Sequence, residues 1–136
     1  MKNDYKKLAK EWLAGADEDW AVAQLLYDEK SYQRASCFHC HQAAEKYLKG
    51  FLVYHGQDIE EEFKIHNLNK LFDYCAKASR DFADDGAVEK ACNFLNKYYI
   101  ATRYPGDIEE YSWEEVKEAI EAVNDTKEKV LKVCGM

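Results

Sequence analysis

The fold class of this chain is decided by the stretch Gln42-Ala43-Ala44-Glu45-Lys46-Tyr47-Leu48-Lys49-Gly50-Phe51-Leu52. Apolar side chains recur here and on either side at steps of three and four residues, which is the period of an amphipathic α-helix. Over a segment from about Tyr32 to His55 they form two adjoining stripes, Cys37, His41, Ala44, Leu48 and Phe51, and Cys40, Ala43, Tyr47 and Tyr54. Because this apolar arc is wide, we expect a central helix with neighbours on several sides.

Four further segments of the 136-residue chain have the same period. Helices are predicted from about Asp4 to Glu29, Asn67 to Ser79, Asp84 to Thr102, and from Ser112 onward. The first should turn Tyr5, Leu8, Trp12, Ala16, Trp20, Ala23 and Tyr27 inward, and the last Val116, Ile120, Val123, Val130 and Cys134. With one proline, six glycines and almost no strict alternation, strands are not expected. The prediction is one all-α domain over residues 1–136, an antiparallel up-and-down bundle of four long helices and one short helix.

Polar residues mark the expected helix ends. His66 or Asn67 can cap the third helix, and the cluster Asp84-Asp85-Gly86 begins the fourth. Tyr104-Pro105-Gly106-Asp107 ends that helix, because proline cannot continue the hydrogen-bond ladder. Ser112 and Glu115 have the spacing of a capping box for the last helix.

Composition and charge exclude several classes of protein. Nineteen lysines and arginines against 26 acids leave a net charge of −7, which is the wrong sign for a general DNA- or RNA-binding protein. The N-terminus lacks the apolar run of a signal peptide, and no stretch approaches the roughly 18 apolar residues of a membrane span. Five cysteines are an odd number and do not form a secreted disulfide pattern. We therefore expect a cytoplasmic protein that contacts no membrane and needs no cofactor.

The segment Cys37-Phe38-His39-Cys40-His41 matches the C-x-x-C-H string of c-type haem attachment. A haem site is not expected, because attachment requires export and a second axial ligand. Cys37, Cys40 and His41 could instead serve as a metal or thiol sensor, although no second ligand pair completes a tetrahedral set. Packing of these side chains inside the central helix is the preferred interpretation.

Glu45 and Lys49 are spaced i,i+4 on the central helix, with His41 one turn before them. They form either a surface ion pair or part of a polar cleft, and the spacing alone does not distinguish the two. Arg103 can compensate the dipole of the helix end that precedes it. Its guanidinium could equally grip a phosphate, with a base stacked on Tyr98, Tyr99 or Tyr104.

Taken together, several strings resemble the HEPN domain family over about residues 17–133. They are Trp20-Ala21-Val22-Ala23, Gln42 to Leu52, Ile65-His66-Asn67-Leu68 and Ala101-Thr102-Arg103-Tyr104-Pro105. The resemblance implies a helical bundle that is often a homodimer, binds a nucleotide and pairs with a minimal nucleotidyltransferase in toxin–antitoxin-like operons. Some members are metal-independent ribonucleases with an arginine, four to six residues and then a histidine late in the domain.

This chain departs from the ribonuclease pattern, because no histidine follows Arg103. The only match is Arg34 with His39, at the beginning of the central helix. A ribonuclease toxin using these two residues is therefore the alternative to our preferred hypothesis. We expect a non-catalytic nucleotide- or partner-binding subunit whose ligand-binding residues are Glu45, Lys49, His66, Tyr99, Arg103 and Tyr104.

Overall fold

The structure, a computed structural model, describes residues 2–57, 66–99 and 110–136, with side chains from residue 4 onward. The helices are α1 (Lys2–Asp28), α2 (Gln33–Tyr54), α3 (Leu68–Ala78), the single turn α4 (Arg80–Ala83), α5 (Gly86–Leu95) and α6 (Trp113–Cys134). A 3₁₀ turn, Asn96–Tyr98, follows α5, and these ranges contain no strand. The predicted all-α helical bundle is confirmed, and α4 is an element that the sequence did not indicate.

Helix α2 occupies the centre of the bundle and packs against α1, α3, α5 and α6. The wide apolar arc predicted this position. Its closest neighbour is α1, which runs antiparallel to it, and Ser36 Oγ donates to the carbonyl oxygen of Ala23 across the pair at 2.9 Å. Gly50 allows the close approach, because a Cβ at this position would lie 2.9 Å from Leu13 Cδ2 and 3.2 Å from Trp12 Cβ.

The inward face of α1 differs from the predicted one in its N-terminal half. Tyr5 and Leu8 are each 41% exposed, while Ala9, Leu13 and Ala16 are buried against α2. Ala9 and Ala16 on this second face are small and let the helix axes approach, and Tyr5 and Leu8 turn outward. Farther along, α1 also reaches α6, where Trp20 Nε1 donates to the Ile120 carbonyl oxygen at 3.2 Å.

The helix ends follow the predicted capping chemistry in most cases. The Asn67 side chain accepts from two amides at the start of α3, and Asp85 does the same for α5. Ser112 Oγ accepts from the Glu115 amide, while the Glu115 carboxylate accepts from the Tyr98 hydroxyl. The prediction of one helix reaching to about Thr102 is wrong in its described part, because the α-helical hydrogen bonding ends at Leu95.

None of the helices in these ranges is long and apolar enough to cross a membrane. The long helices α1 and α6 carry charged residues along their lengths.

Candidate functional site

A buried ion pair on α2 forms the base of the candidate site. Glu45 and Lys49 are 4% and 6% exposed, and Lys49 Nζ donates to Glu45 Oε2 at 3.1 Å. Both residues lie on the side of α2 that is covered by its neighbouring helices. The two side chains are therefore a polar cluster inside the bundle and not an ion pair on its surface. A buried charge is tolerated only with its partner in place, so the two side chains hold each other in position.

His66 completes the hydrogen bonding of the carboxylate. Its Nδ1 lies 2.9 Å from Glu45 Oε1, and its side chain is 43% exposed. The position of His66 is set by the start of α3, where Asn67 caps the helix and the Leu68 amide donates to Asn96 Oδ1 at 2.8 Å. Because the ionised carboxylate only accepts, Nδ1 is the donor, and Nε2 is the ring nitrogen that Glu45 leaves unused.

The side chain of His41 forms a hydrogen bond with the backbone of His66. Its Nε2 lies 3.0 Å from the His66 carbonyl oxygen, and since a carbonyl only accepts, Nε2 carries the hydrogen. The ring is fully buried, and burial lowers the pKa of His41 because the charged form would lose its hydration. His41 is therefore a neutral donor that positions its neighbour.

Tyr99, directly after the 3₁₀ turn, stacks on both imidazoles. Its ring centroid lies 4.4 Å from that of His66 with an interplanar angle of 16°, and 5.6 Å from that of His41 with an angle of 26°. These five residues, His41, Glu45, Lys49, His66 and Tyr99, are called the His66 cluster below. Within it, His66 combines a donor, a planar ring and partial exposure, which are the properties needed to contact a ligand.

The structure thus brings together four of the six predicted ligand-binding residues: Glu45, Lys49, His66 and Tyr99. Arg103 and Tyr104 lie outside the described residues, four and five positions after Tyr99. The sequence presents His41 as a candidate metal ligand and as a neighbour of Glu45, but it does not predict the contact with the His66 backbone. The one available signal was its position a helical turn before Glu45.

The alternative ribonuclease pair is not assembled. Arg34 is exposed in the first turn of α2, while His39 Nδ1 lies 2.9 Å from Asp19 Oδ1 on α1. Five positions on a regular helix separate two residues by about 140° of rotation and about 7.5 Å of rise. His39 has a structural partner in Asp19, which Lys46 also contacts at 2.7 Å.

Cys37, Cys40 and His41 lie in the hydrophobic core of the bundle. Both cysteines are fully buried free thiols, and burial raises the pKa of Cys37 to about 12 and that of Cys40 well above its ordinary 9.0. In the part of the chain that the structure describes, no three His, Cys, Asp or Glu side chains are grouped to hold a metal ion. Both thiols therefore pack in the core of the bundle.

Comparisons with known proteins give a family and solved structures with a similar fold. The family model described as the HEPN domain matches residues 9–134. The crystal structure of TT1696 from Thermus thermophilus is similar with a TM-score of 0.76 and 28% identity, covering 91% of this chain and 96% of that one. The crystal structure of ST0689, an archaeal HEPN homologue, has a TM-score of 0.73 at 23% identity over 93% and 97% of the two chains. No curated protein matches the chain.

Proposed function

Because this chain belongs to the HEPN domain family, we propose that it is a non-catalytic nucleotide- or partner-binding helical subunit. In this proposal it forms a homodimer and acts with a minimal nucleotidyltransferase in a toxin–antitoxin-like pair. The observation that carries the nucleotide-binding part is the His66 cluster, in which a half-exposed imidazole is held by a buried carboxylate and stacked on a tyrosine.

The roles within the cluster follow from exposure. His66 is accessible, so its ring can stack on a base, and its imidazolium form can meet a phosphate. Lys49 is nearly buried with its ammonium on Glu45, and its role is therefore to hold the carboxylate in place. We assign the remaining phosphate contact to Arg103, whose guanidinium binds phosphate with two parallel hydrogen bonds, and a second stacking surface to Tyr104.

Calorimetric titration with a panel of nucleoside mono- and triphosphates tests this assignment. We expect binding by the wild type, and a loss of at least about tenfold in affinity in Arg103→Ala and in His66→Gln. Arg80→Ala is the matched control, because Arg80 is an exposed arginine on α4, and it should bind as the wild type does. Absence of heat with every nucleotide would remove the nucleotide-binding half of the proposal.

The partner half is tested separately. A minimal nucleotidyltransferase encoded next to this chain should co-purify with it, and light scattering should give twice the 15.9 kDa mass of one chain. We also propose a cytoplasmic location, which the five free cysteines support. Failure of the two proteins to form a complex at micromolar concentration would contradict the pairing.

No described contact favours ribonuclease activity at Arg34 and His39. Cleavage of RNA by acid–base catalysis needs a histidine within hydrogen-bond reach of the reacting oxygen and free to move its proton. His39 instead contacts Asp19 at the α1–α2 surface. RNA cleavage that disappears in His39→Ala would overturn the non-catalytic assignment.

A further inference from the structure

A row of five exposed carboxylates runs along the outer side of α6. They follow one another at steps of four, three, four and three residues, which places them on one face of the helix. They are Glu114, Glu118, Glu121, Asp125 and Glu128, and we call them the α6 acidic stripe. Among the residues that the structure describes, none of the five is in an ion pair. Lys127, on the same helix, contacts Asp17 of α1 instead, at 3.1 Å.

The stripe borders a groove between α5 and α6 with a volume of about 270 Å³. Ala87, Ala91 and Phe94 line it from α5, at steps of four and three residues, and Ala122 lines it from α6. Since the three alanines end at Cβ, the two helices leave room between their side chains, and the partly buried Phe94 ring adds apolar surface. A helix laid along the groove can insert apolar side chains here, because the ridges of one helix pack into the grooves of its neighbours.

The charge of the groove is negative. Its charged lining consists of three acids and one base, Glu118, Glu121, Asp125 and Lys90. Partial burial raises the pKa of Asp125, and three neighbouring carboxylates raise it further, that of Glu128 first. Lys129 contacts Asp85, which caps α5, at 3.5 Å, and Lys132 ends the stripe one turn after Glu128. The carboxylates along the groove therefore repel one another, and a cationic partner would relieve that repulsion.

We propose that the groove between α5 and α6 is a docking site for a helix of another protein, one face of which carries apolar side chains flanked by lysines or arginines. The stripe extends from Glu114 to Glu128, about 21 Å at a rise of about 1.5 Å per residue, so a partner helix lying along α6 meets a carboxylate at every turn. A nucleic acid or an anionic lipid surface would meet like charge here. The proposal goes beyond nucleotide binding at the His66 cluster and does not depend on it.

A second copy of this chain fits the groove less well. In a two-fold symmetric dimer through this face, each acidic stripe would lie against the other, and like charges repel. The start of α1 offers complementary charge in three exposed lysines, Lys6, Lys7 and Lys10. A contact between them and the groove of another copy joins two unlike surfaces, and such contacts continue into rings or filaments. Self-association of the chain is therefore one outcome that the experiment must distinguish.

Three designed peptides of about 20 residues test the proposal. The first is a helix with a leucine stripe flanked by lysines, the second replaces those lysines with glutamates, and the third has the composition of the first in a scrambled order. The full chain should bind the first peptide at least about tenfold more tightly than either of the others. The double variant Glu118→Lys/Glu121→Lys should weaken that binding at least about tenfold and strengthen binding of the glutamate peptide. Ala87→Gln, which fills part of the groove without a change of charge, should weaken binding of the first peptide at least about threefold.

The matched control is Glu11→Lys/Glu18→Lys, because it makes the same change of charge at two exposed positions of α1. It should weaken binding of the first peptide less than about threefold, since salt screens distant charges. The proposal is overturned if no peptide binds at about 1 mM, if the scrambled peptide binds as tightly as the first, or if Ala87→Gln has no effect. It is also overturned if the control weakens binding as much as Glu118→Lys/Glu121→Lys, or if sedimentation shows self-association of the chain that this groove variant abolishes.

Discussion

Removal of one charge from the buried Glu45–Lys49 pair should destabilise the whole bundle. The two charged atoms are 3.1 Å apart, which at an effective dielectric constant of about 20 corresponds to about 5 kcal/mol of attraction. In the intact protein the cost of burying both charges offsets most of this. In Glu45→Met the attraction is lost while the Lys49 ammonium stays buried, so the free energy of unfolding should fall by about 3–5 kcal/mol.

A double-mutant cycle separates the pair from the packing around it. Lys49→Met should cost less than Glu45→Met, because Glu45 keeps its hydrogen bond from His66. The double variant Glu45→Met/Lys49→Met should lie within about 1–2 kcal/mol of the wild type, since two apolar side chains of similar size replace two paired charges. Urea unfolding followed by circular dichroism at neutral pH measures all four proteins.

Two outcomes would refute this reasoning. If Glu45→Met costs less than about 1 kcal/mol, the pair behaves like an exposed ion pair. If the losses of the single variants add up in the double variant to within about 0.5 kcal/mol, the two side chains are not coupled.

Three further predictions concern packing, pH and the thiols. Gly50→Ala should lower the free energy of unfolding by about 1–3 kcal/mol, because the added Cβ would meet Leu13 Cδ2 at 2.9 Å. Gly15→Ala is the control: the nearest atom to its Cβ is 3.5 Å away, so this variant should be neutral or stabilised by up to about 1 kcal/mol. Equal losses of stability in the two variants would contradict the close α1–α2 contact at Gly50. Burial lowers the pKa of His41 from 6.5, so the unfolded state binds more protons and the stability of the protein should fall as pH drops below about 6.5. Urea unfolding at a series of pH values should show a smaller fall in His41→Gln than in the wild type. Identical pH profiles of the two proteins would exclude His41 as the source of the loss of stability. The five cysteines should resist a thiol reagent at about pH 8 in the folded protein and should all react in urea. The reason is that burial excludes the reagent and raises the pKa of Cys37 and Cys92 to about 12. Rapid labelling of the native protein would contradict this prediction by showing an accessible thiol.

Local chemistry accounts for what could be predicted about the fold. The helical period depends only on residues that are close together in the sequence. The same is true of helix caps such as Asn67 and Asp85, because each side chain accepts from amides two and three positions ahead. Glu45 and Lys49 could be paired for the same reason, since one helical turn separates them. Their burial did not follow from that spacing, because the helices packed around α2 decide it.

The amino-acid sequence by itself determined the helices, most of their ends, the central place of α2 and one ion pair. Tertiary structure decided which face of α1 turns inward, because apolar residues cover two adjoining faces and only packing against α2 buries Ala9, Leu13 and Ala16 in place of Tyr5 and Leu8. It also decided that His66, 21 positions after Glu45, meets that carboxylate. His41 donates to a backbone carbonyl, and since every residue carries one, no sequence pattern could have identified that partner.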